Sequence, residues 1–293
     1  MVVAGVLLAV AVDSAFCSEL EPRLLGGPSV EQTAPVAVVL TRQQVLDSSQ
    51  RQHLPFRLHE LPHALVFEMP DLREQAKTFG RIVAFVEKTD APKTRVLSEA
   101  EFSQWLTRSR QRLELLTLGN DFVVSELARF YNIASLQRLP LSDREQWLLG
   151  ELERNGWLRK GRQGWETPDP QAIVLSFPAA SRVETCVRCS VTETSRQSIF
   201  AHEYGHALYA GDVFLQHYTG WFWANRIPLT LRSRVQRFLS ARGYDTALSE
   251  LVLKEFYAFL CHSDDMTLFN PAEWGLNQQE FASLREQFVS GLR

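Results

Sequence analysis

The chain lacks most of the features that would assign it to a nucleic-acid-binding or membrane-spanning class. Its 293 residues include 31 lysines and arginines against 34 aspartates and glutamates, so the formal net charge is only −3. It has no glycine-rich phosphate loop, zinc-finger pattern or basic aromatic stripe, and nucleotide or nucleic-acid chemistry therefore has no support. The longest apolar run, residues 2–12, is too short to cross a bilayer. We expect peptides or other neutral polymers as partners, no nucleic acid, and no membrane span in the mature chain.

The apolar run at residues 2–12 has the length of a signal-peptide core. A polar residue and two small residues follow it, although no lysine or arginine precedes it. We predict a signal peptide over residues 1–18 and a loose leader over residues 19–32, with a secreted or periplasmic location. The alternatives are a buried strand and a lipidated Cys17, although the residues before Cys17 lack the leucine expected there.

Cysteine is scarce, with four in the whole chain. Cys186 and Cys189 are separated by two residues, and a short disulfide loop is the first interpretation in an oxidising compartment. Half of a structural zinc site or a redox pair is the alternative, but the sequence has no second pair with this spacing. Cys261, within an apolar run, is predicted to be a buried thiol.

The motif that carries chemistry is the sequence HEYGH at residues 202–206. Positions four apart lie on one face of a helix, so both imidazoles can point at one ion. Such a pair with a glutamate after the first histidine is the minimal site of zinc peptidases, in which the glutamate is the general base on a zinc-bound water. A capping-box pattern predicts the helix over residues 195–210. The sequence thus predicts one Zn²⁺ ion, ligands His202 and His206, and the base Glu203.

A catalytic zinc ion needs a third protein ligand, and two residues compete for this position. Asp212 follows His206 at the spacing of metzincins, but the glycine and the methionine turn of that arrangement are not found. Glu255 lies among apolar residues at helical spacing, and a carboxylate buried there needs a cation as partner. We favour Glu255 as the ligand, with an ion pair to Arg232 or Arg242 as the alternative.

A glutamate on a second helix after an HExxH helix resembles the gluzincin metallopeptidases. Residues 186–265 are also similar to a group of secreted proteobacterial proteins with a Cys-x-x-Cys pair, an HExxH helix, a Gly-Tyr-Asp turn and a Glu-x-x-Ala helix. Here the last two patterns occupy residues 243–245 and 255–258. The resemblance implies the same ligands and base as the motif, and it implies no substrate. The interval before the third ligand is longer than in gluzincins, and residues 230–242 are predicted to fill it with an extra helix.

Hydrolysis also requires a group besides the metal that stabilises the oxyanion of the tetrahedral intermediate. The sequence offers several residues and selects none of them. The candidates are Tyr244, Tyr257, His217 and His262. The tyrosines could instead be packed rings with bonded hydroxyl groups. His262 could instead contact a zinc ligand, or lie at the end of a helix where a cation suits the helix dipole.

The remaining patterns predict an α+β fold. Short apolar runs and capping signals predict, in order, strands at 36–40, 64–69 and 81–87, helices from 98 towards 119, over 122–131 and over 142–155, a hairpin over 157–165 and a strand over 172–177. We expect a small N-terminal α/β module over residues 33–96 and a mainly helical, zincin-like catalytic domain over residues 97–293. By analogy with gluzincins, the strand at 172–177 could be a sheet edge for an extended peptide.

These observations predict a zinc metallopeptidase that hydrolyses peptide bonds in a peptide or protein substrate, with cell-wall peptide as one candidate. The alternative is a non-catalytic, zinc-stabilised binding or scaffold protein of the cell envelope. The fourth coordination position distinguishes them, because it holds water in an enzyme and a protein group, such as Asp212 or His217, in a closed site.

Overall fold

The computed structural model describes residues 37–48 and 55–292. The signal peptide and leader predicted for residues 1–32, and Cys17 with them, lie outside the described residues. The described chain is α+β, as predicted, with 55% helix and 13% strand. Within these residues, no helix is both long enough and apolar enough to span a bilayer.

A mixed five-stranded sheet forms the centre of the fold. In chain order the strands are β1 (Val38–Leu40), β2 (Phe56–Leu58), β3 (Ala64–Met69), β4 (Asn120–Val123), β5 (Arg159–Gly161), β6 (Gly164–Glu166) and β7 (Ile173–Pro178). The sheet order is β1-β2-β3-β7-β4, while β5 and β6 form a separate hairpin. Strands β3 and β7 are parallel and buried along their whole length, as expected for strands covered on both faces.

Helices cover both faces of this sheet. They are α1 (Arg42–Asp47), α2 (Leu72–Val86), α3 (Glu99–Arg108), α4 (Val124–Leu136), α5 (Asp143–Arg154), α6 (Glu193–Gly211), α7 (Val213–Asn225), α8 (Leu229–Ala241), α9 (Ser249–His262) and α10 (Gln278–Ser290). Short 3₁₀ turns lie at Leu113–Leu115, Val187–Cys189 and Pro271–Trp274.

The sheet divides the interior into two hydrophobic cores. Along β3, Leu65 and Phe67 pack with α2 to α5, whereas Val66 packs with α6 to α10. This alternation is the two-residue period of a strand. Helix α6, which carries the HEYGH motif, lies on the second face and contacts β7 and α9.

The predicted strand at residues 81–87 is wrong, because these residues form the end of α2 and its C-cap. The helix begins at Asp71, whose side chain accepts a hydrogen bond from the N–H of Glu74. All residues from 81 to 87 are buried. An apolar run that is buried on every side shows no helical period, so its sequence cannot be distinguished from that of a buried strand.

The predictions around the sheet edge also need correction. The helix predicted at 122–131 begins only at Val124, and β4 precedes it. The predicted strand at 172–177 is present as β7, but it lies between β3 and β4 and pairs with both. Its backbone is therefore not a free edge. Among the described strands, β4 pairs with β7 alone and runs antiparallel to it.

Helix starts agree with the sequence better than helix ends. The capping box predicted at Ser98 is present, with Glu101 completing it. The helix ends at Arg108, however, well before Gly119. The intervening residues form a 3₁₀ turn and a loop that lead into β4.

The segments on either side of residue 97 share one sheet. Strands β1 to β3 come from residues 33–96, and β4 and β7 come from residues 97–293. Both cores likewise contain residues from both segments. The N-terminal segment therefore contributes directly to the surface on which α6 packs.

A buried ion pair holds α6 against the sheet. Arg196 Nε, in the first turns of α6, donates to Glu68 Oε1 on β3 at 2.7 Å. The two side chains are only 3% and 2% exposed. The pair connects the motif helix to the middle of the sheet.

Replacing Arg196 with methionine should destabilise the protein, because the carboxylate of Glu68 then stays buried without this cation. We expect the free energy of unfolding, measured by urea denaturation, to fall by about 3–5 kcal/mol. The control is Arg159→Met, which removes an exposed ion pair with Glu166 and should cost no more than about 1 kcal/mol. Equal losses in the two variants would contradict a structural role for the buried pair.

Candidate metal centre

Helix α6 places the motif histidines on one side of the helix. It begins after Thr192, whose side chain accepts from the N–H of Ser195, so it starts two residues earlier than predicted. The rings of His202 and His206 meet edge to face, with centroids 4.7 Å apart. Both rings face α9, as the four-residue spacing requires.

A glycine allows α6 and α9 to approach closely at this point. A Cβ atom added to Gly205 would lie 2.5 Å from the ring of His262, which is the last residue of α9. A side chain at position 205 would therefore push the two helices apart. The distance between the motif and α9 depends on this glycine.

Three side chains converge on one point between the helices. His202 Nε2 and His206 Nε2 are 3.1 Å apart. They lie 3.5 Å and 3.6 Å from the nearer carboxylate oxygens of Glu255 on α9. Zinc bonds of about 2.0–2.2 Å in a tetrahedral site imply ligand separations of about 3.3–3.6 Å. The three measured separations are close to that range, so this set of donors fits a tetrahedral metal ion.

Ser263 orients the first histidine, and the sequence analysis did not identify it. His202 Nδ1 is 2.8 Å from Ser263 Oγ, and that hydroxyl donates to the carbonyl of Ala258 at 3.3 Å. The hydroxyl therefore accepts from Nδ1–H, which leaves Nε2 unprotonated and able to bind a metal. Hydrogen bonds of this kind fix metal-binding histidines in most proteins. The only signal in the sequence is a serine directly after the apolar stretch of α9.

Glu203 lies beside this set, against the loop that enters β4. A Cβ atom at Gly119 would lie 2.1 Å from Glu203 Oε1, so only glycine leaves room for the carboxylate. Glu203 is 5% exposed, and its Oε2 has no hydrogen-bond partner among the described residues. Burial and then the charges of Asp121 and Glu255 hold the pKa of Glu203 well above its usual range. A buried oxygen with no partner indicates that another species, such as water, bonds there.

Asp121 and Lys254 border the ligands, and sequence reasoning missed both. Asp121 Oδ1 lies 3.8 Å from His206 Nε2, and Oδ2 accepts from Lys254 Nζ at 2.7 Å. Lys254 Nζ also lies 3.8 Å from Glu87 Oε1. Burial raises the pKa of Asp121 to about 6 and that of Glu87 to about 7, although Lys254 opposes both shifts. These residues form no local sequence motif, because they come from three separate elements: β4, α9 and the C-cap of α2.

The buried charges around the centre do not balance. If all of these groups are ionised, four carboxylates and two lysines give a formal charge of −2, which one divalent cation would balance. Charge buried without compensation is costly. The cluster therefore favours a bound divalent cation. Its members are Glu87, Asp121, Glu203, Glu255, Lys88 and Lys254.

Two of the four candidates for oxyanion stabilisation lie in the core next to each other. The hydroxyl of Tyr257, which is fully buried, is 2.9 Å from His262 Nε2. Burial lowers the pKa of His262 to about 3, so its imidazole is neutral. The structure therefore gives these two residues a packing role behind the site.

The other two candidates have opposite surroundings. Tyr244 follows Gly243, whose φ of +79° makes the turn after α8. Burial and the charges of Glu255, Glu87 and Glu203 raise the pKa of Tyr244 well above its usual range. His217 is exposed on α7 and has no contact with the site among the described residues.

Asp212, the alternative third ligand, is not at the site. It is exposed and caps α7, where its Oδ1 accepts from the N–H of Leu215 at 3.0 Å. Its side chain therefore has a local structural role. Of the two residues that compete for the third position, only Glu255 lies beside the histidines.

Cys186 and Cys189 form a disulfide just before α6. The short turn Val187–Cys189 contacts the turn Leu113–Leu115, which belongs to the segment that leads to Gly119 and β4. Cys261 is 3% exposed, within the core. The disulfide loop therefore lies just before α6 and contacts the segment that leads into β4, and both of these elements carry site residues.

Comparison of the chain with protein-family models, with curated proteins and with solved structures finds no match. The chemistry of the site is therefore inferred from its own residues.

The purified protein should contain about one equivalent of zinc by elemental mass spectrometry. His202→Ala and Glu255→Ala should each lose the metal, because two remaining ligands bind it only weakly. The control is His217→Ala, which removes an exposed histidine and should retain the full content. Unchanged zinc in Glu255→Ala would overturn the assignment of the third ligand.

Proposed function

We propose that the protein is a secreted or periplasmic zinc-dependent peptidase with a zincin-like catalytic domain of the gluzincin type. One observed arrangement of side chains carries this proposal. The ring nitrogens of His202 and His206 and the carboxylate of Glu255 have separations close to those of a tetrahedral site, and the carboxylate of Glu203, whose Oε2 has no partner among the described residues, lies beside them. A peptide or protein is the substrate, and cell-wall peptide is a candidate.

Glu203 performs the proton transfers. A zinc ion held by His202, His206 and Glu255 would polarise the substrate carbonyl and lower the pKa of water. Glu203 takes the proton of the attacking water at its free Oε2 and then delivers it to the leaving amine. Burial raises the pKa of this carboxyl, which favours the protonated form that the second transfer requires.

Strand β4 is suited to bind an extended substrate. It pairs with β7 alone among the described strands, so the backbone groups of its other edge have no strand partner, as β-augmentation requires. Gly119, directly before β4, contacts Glu203, and Asp121 within β4 is close to His206. A peptide added to this edge would therefore pass the base and a ligand.

Tyr244 is the candidate best supported as the oxyanion-stabilising residue. Burial and then the charges of Glu255, Glu87 and Glu203 raise the pKa of its hydroxyl well above the usual range. A phenol in this state stays protonated at neutral pH, and it can donate a hydrogen bond to a developing negative charge.

The second candidate function is a zinc-stabilised binding or scaffold protein of the cell envelope. The observation that favours it is the distance of 3.8 Å between Asp121 Oδ1 and His206 Nε2, which could make Asp121 a fourth ligand and close the site. Against this, Lys254 holds the other oxygen of Asp121 at 2.7 Å. Asp121 also groups with Glu203 and His206, and not with the complete ligand set.

The variant Asp121→Asn distinguishes a site with three protein ligands from a site in which Asp121 is the fourth ligand. In the proposed enzyme, it should retain about one equivalent of zinc after dialysis against a weak chelator, because three ligands remain. Loss of zinc, to the level found in His202→Ala, would instead establish Asp121 as a ligand and favour the scaffold function.

The variant Glu203→Gln tests the catalytic mechanism. It should lower hydrolysis of an internally quenched peptide library by about 10²–10⁴-fold, because the proton acceptor is lost, while zinc content stays unchanged. Glu153→Gln, at an exposed position on α5, is the matched control and should keep full activity. An active Glu203→Gln protein would rule out this mechanism, and zinc-loaded wild type that cleaves no peptide would favour the second candidate function.

A further inference from the structure

A pocket of about 540 Å³ opens directly beside His206. Asp121 and Val123 form one wall; they are two residues apart on β4, so their side chains share a face. The apolar side chains of Val86 and Leu251 also line the pocket. The pocket therefore borders both His206 of the candidate metal centre and the strand proposed to bind substrate.

The lining of this pocket carries an excess of negative charge. It contains four carboxylates and one lysine, which are Glu87, Asp121, Glu126, Glu250 and Lys254. Two of the carboxylates have hydrogen-bond partners, since Asp121 accepts from Lys254 at 2.7 Å and Glu250 accepts from the hydroxyl of Tyr209 at 3.1 Å.

The other two carboxylates have no hydrogen-bond donor within the described part of the chain. Glu87 is 3% exposed, and its nearest cation, Lys254 Nζ, is 3.8 Å away, beyond hydrogen-bond distance. Glu126, half-buried in the first turn of α4, has no direct side-chain hydrogen bond or ion pair within the described part of the chain, although the charges of Lys254, Arg129 and Lys93 act on it. A deeply buried carboxylate that faces a cavity without a donor indicates a ligand that supplies one.

A metal ion at the histidines does not satisfy this requirement. One divalent cation balances the buried charges next to the histidines, and Glu126 and Glu250 add further negative charge at the pocket. A second metal ion is also disfavoured, because the ammonium group of Lys254 already occupies the side of Asp121 where such an ion would bind.

We propose that the pocket is a subsite for a protonated amine of the substrate, supplied by the amino terminus of a peptide or by a basic side chain. The ammonium group donates to Glu87 and Glu126, and the carbon chain that carries it packs against Val86 and Leu251. A neutral or acidic group would leave the buried carboxylate of Glu87 without a donor, which gives the selectivity. The role as a substrate subsite rests on the proposed peptidase function, because the pocket is connected to the reaction only through His206 and Asp121.

The binding test uses three small probes and the full-length, zinc-loaded protein. Acetyl-lysinamide carries a side-chain amine, norleucinamide carries only an amino-terminal amine, and acetyl-norleucinamide carries neither. We expect at least one charged probe to bind about tenfold more tightly than the uncharged probe by isothermal titration calorimetry. A preference for acetyl-lysinamide assigns the pocket to a basic side chain, and one for norleucinamide assigns it to the amino terminus. Equal affinities for all three probes would overturn the proposal.

Two neutralising variants connect this preference to the pocket. Glu87→Gln and Glu126→Gln should each reduce the preference for the charged probe about tenfold and leave binding of acetyl-norleucinamide unchanged. The matched control Glu153→Gln, on an exposed surface of α5, should keep the full preference. If Glu87→Gln does not fold, Glu126→Gln at the half-buried position decides. A preference that survives neutralisation of the pocket carboxylates would refute the assignment.

These measurements separate the subsite from the peptidase function. A protein that binds the amine through Glu87 and Glu126 but hydrolyses no peptide would support the subsite and contradict the proposed activity. A protein that hydrolyses peptides, with Glu203 required, but treats the three probes alike would support the activity and contradict the subsite.

Discussion

Negative charge buried between α6, α9 and β4 is the constraint on which this site depends. Four carboxylates lie there with two lysines, and burial pushes the pKa values of Glu87, Asp121 and Glu203 upward. A hydrophobic core accepts such a group only if a cation completes it. The histidines contribute the neutral donors that a divalent metal prefers, so the same charges that would destabilise a metal-free core favour metal binding.

The close approach of three elements makes this concentration of charge possible, and two glycines allow it. Gly205 lets α9 reach α6, so Glu255 comes within 3.5 Å of His202 Nε2. Gly119 lets the loop before β4 pass over the carboxylate of Glu203. A side chain at position 205 would displace the ring of His262, and one at position 119 would displace the carboxylate of Glu203.

The sequence predicts the local parts of this site and misses those made by tertiary contacts. A spacing of four on a helix and an acid within an apolar stripe were enough to select His202, His206 and Glu255, because both patterns are local. Asp121, Lys254 and Ser263 have no such pattern, since each acquires its role from a neighbour distant in sequence. The same limit explains the fold: β3, β7 and the helices that begin after Ser98 and Ser142 were predicted, whereas the buried end of α2 resembled a strand and part of the short β4 was assigned to a helix.

The sheet joins residues from both ends of the described chain, and this has a consequence for when the site can exist. Glu203 belongs to α6, Glu255 belongs to α9, and the glycine that contacts Glu203 precedes β4, so no contiguous fragment up to α6 contains the whole cluster. During synthesis, Glu255 joins the two histidines only after α9 has been made and packed. The cluster is thus complete only when folding is complete, so a metal ion bound by it would add its binding free energy to the stability of the folded chain.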